Sequence, residues 1–260
     1  MRYFVVSDVH GFYNEMRRAL DNAGFDPTNP NHCFVSCGDL LDRGTQPKEC
    51  LEYVLNLNPN RRILIYGNHE HLMEQAIARG AFLMHDAHNG TMATAIALTD
   101  LSPEQYSVEG SVAAHLMRDC SLYNKYIKAC VIYHETSRAV FVHGWIPCEK
   151  EIHKNKTFYR AIKDWRKADL NQWLAAAWYN GMDAWNQGVR VDNKTVFCGH
   201  WHTSWGHARL HNDGEEWPNK YSTNPDHRRA NYAPFIDNGI VALDGCTVVS
   251  HRVNCFIWEE

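Results

Sequence analysis

Apolar runs of four or five residues punctuate the first 70 positions. Residues 3–7, 32–36 and 63–66 are rich in Val, Ile, Phe and Tyr, and each predicts a buried strand. The stretches 12–23 and 47–56 predict helices, and a third helix follows Glu70. Short strands alternating with helices predict βαβ units and a mostly parallel sheet. Each strand runs into a polar cluster: Asp8-Val9-His10-Gly11, Gly38-Asp39-Leu40-Leu41-Asp42-Arg43-Gly44 and Gly67-Asn68-His69-Glu70. In such sheets ligands sit at the carboxyl ends of strands.

Residues 71–133 read as mainly helical, with 91–98 and 112–129 the better segments and helix starts at Ser102-Pro103-Glu104 and Ser111. Residues 140–142 predict a strand ending in His143-Gly144. Residues 149–190 read as helical, and Phe158, Tyr159, Trp165, Trp173, Trp178, Tyr179 and Trp185 read mostly as packing between helices. A strand at 195–197 leads to Gly199-His200-Trp201-His202. The polar stretch 212–234 is long for a connection and predicts either a functional loop over or beside the site or a solvated surface excursion, with His227, Arg228 and Arg229 able to add positive charge in the first case. Strands at 240–243 and 253–258 close the chain, with Asp244-Gly245 a turn between them. One domain over residues 1–260 is expected.

Composition narrows the class. The chain is 45% apolar and 22% charged, with a formal charge of −4, which excludes intrinsic disorder and argues against a nucleic-acid coat binder. No run approaches 18 apolar residues and the first residues form no apolar leader, so neither a membrane partner nor export is expected. Nine cysteines without a Cys-x-x-Cys pair read as reduced thiols in a cytoplasmic protein. Sixteen histidines are unusual, and their spacing decides what they do.

Asp8, His10, Asp39, Asn68, His143, His200 and His202 all fall at strand ends. This set of imidazole, carboxylate and amide donors suits manganese, iron, zinc or nickel. Seven groups are too many for one ion and suit two sharing a carboxylate, for which Asp39 is the natural bridge. Two ions roughly 3.5–4 Å apart would hold a hydroxide between them and stabilise the oxygens of an in-line displacement. Taken singly, an Asp after a strand is more often a helix cap and a lone His a surface residue. Their convergence favours a metal site. His71, His85, His88, His115 and His134 have no such neighbourhood and read as structural.

The motifs Asp8-x-His10, Gly38-Asp39-x-x-Asp42-Arg43-Gly44, Gly67-Asn68-His69-Glu70, His143-Gly144 and Gly199-His200-x-His202 resemble, in order, those of the calcineurin-like metallophosphoesterases. Within that superfamily they resemble the branch of serine/threonine phosphoprotein phosphatases, their bacterial and phage relatives, and the symmetrical diadenosine tetraphosphatases. The resemblance implies an α/β fold with two packed mixed β-sheets flanked by helices, a four-layer sandwich. It implies that Asp8, His10 and Asp39, with His202 as a further ligand, hold one ion, and that Asp39, Asn68, His143 and His200 hold the other. Arg43 would clamp phosphate oxygens, and His69, held by Asp42, would protonate the leaving group.

Two departures bear on the substrate. The phosphoprotein phosphatases carry Gly-His-Thr-Pro or similar where this chain has Gly199-His200-Trp201-His202. Bacterial relatives also place a second phosphate arginine in a Leu-Trp-x-Arg segment, where this chain has Ala177-Trp178-Tyr179-Asn180; Arg160, Arg166 and Arg190 are candidate substitutes. The first reading is a phosphomonoesterase acting on a phosphoprotein or small phosphorylated compound. The alternatives are a diadenosine-polyphosphate hydrolase, with Trp145, Trp201 or Trp205 stacking on a base, a phosphodiesterase, or a phosphate-binding protein without turnover.

Overall fold

The computed structural model describes residues 1–99, 101, 111–154, 156–218 and 229–260. Strands β1 (Arg2–Val6), β2 (His32–Ser36), β3 (Arg62–Ile65) and β4 (Cys130–Val131) lie parallel in one sheet. The second sheet holds β5 (His134–Glu135), β6 (Ala139–Phe141), β9 (Thr195–Cys198), β10 (Phe235–Asp237) and β11 (Ile240–Ala242), while β7 (Cys148–His153) and β8 (Lys156–Ala161) form a separate hairpin. Strand β12 (Cys255–Glu259) pairs antiparallel with β1, giving the first sheet the order β12-β1-β2-β3-β4. The second has the order β10-β11-β9-β6-β5, with β11, β9 and β6 parallel.

Strand periodicity sorts the apolar residues into three layers. Val5, Val35 and Ile65 of the first sheet meet Ala139, Phe141, Phe197 and Val241 of the second in a core between the sheets. Their neighbours Phe4, Val6, Phe34 and Leu64 point the other way, onto the helices Tyr13–Asn22, Pro47–Asn56, Asn68–Arg79 and Ser121–Ala129. Val140, Val142, Val196, Cys198 and Ile240 likewise face Trp173, Ala176 and Trp185 of the helices Leu170–Ala176 and Gly181–Asn186. Alternation of period two places successive side chains on opposite faces, and both faces here are apolar. That is why these strands are continuous hydrophobic runs, and the result is the expected α/β architecture of two mixed sheets flanked by helices.

Three local expectations need correction. The first third of 149–190 is a hairpin, not a helix; its register pairs His153 with Lys156, and Lys154 at the connection has φ 48°, the left-handed backbone that tight hairpins require. The segment 112–129 is two helices, Ser111–Arg118 and Ser121–Ala129, broken at Asp119–Cys120. Strands β4, β5 and β10, of two or three residues, were too short to show as apolar runs. The helix start expected at Ser102-Pro103-Glu104 lies outside the described residues. Among the described residues, no helix is long and apolar enough to cross a membrane.

Candidate metal centre

The carboxyl ends of β1, β2, β3, β6, β9 and β11 meet along one edge of the two sheets, and the loops leaving them carry the site. These loops are held in costly backbone conformations. Of eleven non-glycine residues with positive φ among the described residues, six are Asp8, His10, Asp39, Asp42, Arg43 and His200. Left-handed backbone at a non-glycine residue persists where surrounding contacts over-determine it, and it gathers at functional sites. Two glycines permit the packing. Gly199 brings its backbone against the Ser7 and Asp8 side chains, where a Cβ would collide, and Gly90, at φ +87°, lies against the Arg43 backbone.

Asp39 belongs to two groups of ligand-capable atoms, each lying within 4.8 Å of one another: His10, Asp39 and His69, and Asp39, His143 and His200. Asn68 joins the second group, its Oδ1 accepting from His143 Nε2 at 2.7 Å and His200 Nδ1 at 2.8 Å. Asp8 stands beside the first, with Oδ1 3.9 Å from His10 Nε2. Its carboxylate accepts from Ser7 Oγ at 2.5 Å and from the His200 backbone N–H. His202 enters neither group: its Nδ1 meets Ser204 Oγ at 2.7 Å, and Ser204 donates to the Glu216 carbonyl.

Hydrogen bonds on the far side of the rings aim their other nitrogens. His10 donates from Nδ1 to the Leu41 carbonyl at 3.0 Å, leaving Nε2 as an acceptor toward the cluster. His143 donates from Nδ1 to the Cys37 carbonyl at 2.8 Å. Anchoring one imidazole nitrogen to a backbone carbonyl sets the tautomer and direction of the other, as metal ligands require. Arg43 spans the site, donating from Nη1 to His10 Nε2 at 2.9 Å and placing Nη2 3.1 Å from His69 Nε2.

The electrostatics suit a cation. Burial lowers His10 well below the usual range, and burial with the His143 charge nearby brings His200 down to about 3. Both rings are therefore neutral, the state in which imidazole can bind a metal. Burial works against charge on His143 too, but the Asp39 carboxylate 3.3 Å away outweighs it and raises the imidazole to about 10. A bound cation would take the place of that proton. Burial raises Asp8 to about 6, and burial together with Asp8 pushes Asp244 well above the carboxylate range. A cation bound among these buried carboxyls would offset what burial costs their charged forms. The residues present fit a dinuclear centre of nitrogen and oxygen donors.

Sequence reasoning missed four contributors. Glu70 is buried and accepts from the backbone N–H groups of Asp39, Leu40 and Gly67 and from Tyr126 Oη, so it ties the loop after β2 to the loop after β3. Its signal was its place as third residue of the helix Asn68–Arg79, where a glutamate reaches back to the cap. Thr91 and Thr94 both bind Asp42, from a helix remote in sequence. Asp244, read as a turn, is a buried carboxyl at the end of β11.

Other candidates lie elsewhere. Asn180 caps the helix Gly181–Asn186, accepting from Asp183 N–H at 3.1 Å. Arg160 pairs with Glu149, Arg166 with Glu135, and Arg190 lies over the Trp185 ring. Trp145 is buried with its N–H on the Val189 carbonyl, and Trp205 packs against the second sheet's outer core. Of the loop 212–234, Trp217 packs on His202 with ring centroids 4.0 Å apart, so its first part borders the site. Arg229 is exposed, and its carbonyl accepts from Glu215 N–H. His227 and Arg228 lie outside the described residues.

Residues 1–204 match the family described as calcineurin-like phosphoesterase. The chain is 42% identical over 76 residues to the symmetrical bis(5'-nucleosyl)-tetraphosphatase of Aeromonas hydrophila subsp. hydrophila, a match covering 29% of this chain and 26% of that protein. It is 36% identical over 74 residues to the protein of the same name from Actinobacillus succinogenes, covering 28% and 26%. The chain thus spans about a quarter of the length of the curated relatives it matches. Among solved structures, the cold-active protein-tyrosine phosphatase of a psychrophilic Shewanella is similar over 100% of this chain and 75% of its own, with TM-score 0.54 and 14% identity. That is a likeness of fold.

Proposed function

Since this chain belongs to the calcineurin-like phosphoesterase family, we propose that it is a metal-dependent phosphoric ester hydrolase that cleaves a dinucleoside polyphosphate. The observation that carries the hydrolytic part is Asp39 shared by two ligand groups with Arg43 spanning the site. The curated relatives favour the dinucleotide alternative over the phosphoprotein substrate that the sequence analysis put first. Asn180 as a helix cap, and Arg160, Arg166 and Arg190 engaged elsewhere, also leave the phosphoprotein reading without its second arginine.

In this reading Asp8, His10 and Asp39 hold one ion and Asp39, Asn68, His143 and His200 the other, with manganese, iron, zinc or nickel all compatible with the donors. The ions would supply positive charge for phosphate oxygens and lower the pKa of the attacking water. Arg43 holds phosphate oxygens with its planar fork. His69 gives the proton on Nε2 to the departing oxygen, and Asp42 orients the ring through Nδ1. His202 is the further ligand of the first ion in this reading, its Nδ1 held by Ser204 Oγ. The nine free cysteines suit a reducing compartment such as the cytoplasm.

The test is a substrate panel with the metal-loaded protein: diadenosine tetraphosphate, a phosphoserine peptide, an aryl phosphate and a bis-aryl diester. The highest kcat/KM is expected for the dinucleotide, with ADP as sole nucleotide product of a symmetrical cut. A higher kcat/KM on the phosphopeptide would return the protein-phosphatase reading, and no turnover of any would leave a binding protein.

A further inference from the structure

Of the nine tryptophans, Trp178, Trp201 and Trp217 are 42%, 36% and 52% exposed, whereas Trp145, Trp165, Trp173 and Trp185 are buried and Trp205 and Trp258 intermediate. The three exposed indoles form one row with the last two histidines of the site. His200 lies between Trp178 and Trp201, with ring centroids at 5.7 and 6.0 Å and planes inclined at 79° and 62°. His202 lies between Trp201 and Trp217, at 6.4 Å and 17° and at 4.0 Å and 49°. Three separate segments supply these rings, and the last is fastened: Glu216 accepts from Ser204 Oγ through its carbonyl and pairs with Arg209 at 2.7 Å.

Leaving an indole in water forgoes roughly 25 cal/mol for each Å² of apolar surface that could be buried. Gathering three such rings beside a charged, buried ligand cluster therefore marks a surface meant to be covered. Its occupant must join a flat π-system to a phosphate group that reaches the ligand cluster and Arg43. A nucleobase meets both demands, and indole faces accept bases by stacking whatever their hydrogen-bonding edge.

We propose that Trp178, Trp201 and Trp217 form the platform that receives a nucleobase of the substrate, beside the ligand cluster of Asp39, His143 and His200 where Arg43 would hold the phosphates. This rests on the dinucleotide reading above and names the residues that select it. It also gives a reason for Trp201 at the motif position and for Trp178 beside it: the aromatic row occupies ground next to the ligands.

The test compares diadenosine tetraphosphate with tripolyphosphate, which has phosphoanhydrides and no base, in the metal-loaded full chain. Trp178→Ala, Trp201→Ala and Trp217→Ala are each expected to lower the ratio of the two kcat/KM values about tenfold, mainly through KM, with Trp→Phe restoring most of it. ADP should quench tryptophan emission of the wild type where inorganic pyrophosphate does not. Should Trp201→Ala lose metal or fold poorly, Trp178→Ala and Trp217→Ala carry the measurement. An unchanged ratio in both with dinucleotide turnover intact overturns the platform alone, as does a loss confined to a phosphotyrosyl peptide. A wild type that hydrolyses an aryl phosphate but no dinucleotide overturns the functional reading, and the ADP quenching then still judges the platform: equal quenching by pyrophosphate rejects it.

Discussion

His69 Nδ1 lies 2.7 Å from Asp42 Oδ2, although the two residues leave different strands. The same oxygen accepts from Thr91 Oγ1 at 2.7 Å, and the Asp42 N–H reaches Thr94 Oγ1 at 3.1 Å. Burial disfavours charge on this ring, but Asp39 and Asp42 outweigh burial and raise His69 above its ordinary value. A buried imidazole kept protonated, with its second nitrogen facing Arg43, is placed to act as an acid.

His69→Asn is therefore expected to lower turnover of an alkyl phosphate by about 10²–10⁴-fold. The loss should shrink for an aryl phosphate and for a dinucleotide, whose leaving groups need less protonation. Metal content should stay at the wild-type level. A drop in bound metal would instead make His69 a ligand, the role its grouping with His10 and Asp39 also permits.

Asp39→Asn should reduce occupancy at both positions, because Asp39 belongs to both ligand groups. His200→Ala should reduce occupancy at one. Metal analysis of the two purified variants checks this directly, and equal losses would argue against a shared carboxylate.

Glu70→Ala should destabilise the protein by roughly 3–5 kcal/mol, since it strands buried backbone N–H groups of Asp39, Leu40 and Gly67. Urea unfolding measures the change. Activity should fall with it, because the Asp39 loop loses its support.

Glu135 accepts from Arg166 and pairs with Lys194 at 3.1 Å, and the Arg166 hydrogen bonds lead in bringing its carboxyl from 4.5 to about 2. A carboxylate whose folded pKa lies below its unfolded value stabilises fully above the unfolded value and loses that contribution as pH falls through the folded one. The stability advantage of wild type over Glu135→Gln should thus be complete above about pH 4.5 and gone near pH 2. Thermal unfolding across that window tests it; an advantage unchanged at pH 2 would exclude the carboxylate as its source.

The proposed ligands run from Asp8 to His202, and Phe141 and Phe197 fill the core between the sheets. A single cooperative unfolding transition is expected for residues 1–260. A fragment ending at Arg138 should neither fold stably nor bind two metals, since it lacks His143, His200 and His202 together with half of that core. Calorimetry of the whole chain and metal binding by the fragment check both.

Much of this site is local chemistry and was legible in the chain. A parallel strand buried on both faces is an apolar run, and the residues just after it are bound to emerge at the sheet edge, so Asp8, Asp39, Asn68, His143 and His200 could be placed from order alone. What depends on which surfaces meet could not. Residues 149–161 carry aromatics and charges without a clear period, and pairing of β7 with β8 decided the hairpin. Tyr179 and Trp178 are sequence neighbours of the same character, yet one is buried in the second sheet's outer core and the other stands exposed beside His200. Glu70 and Thr91 owe their roles to partners more than twenty residues away. Backbone preference and hydrophobic period act over a few residues; exposure, shared ligands and long-range hydrogen bonds arise when distant segments close over one another, and only tertiary structure decided them.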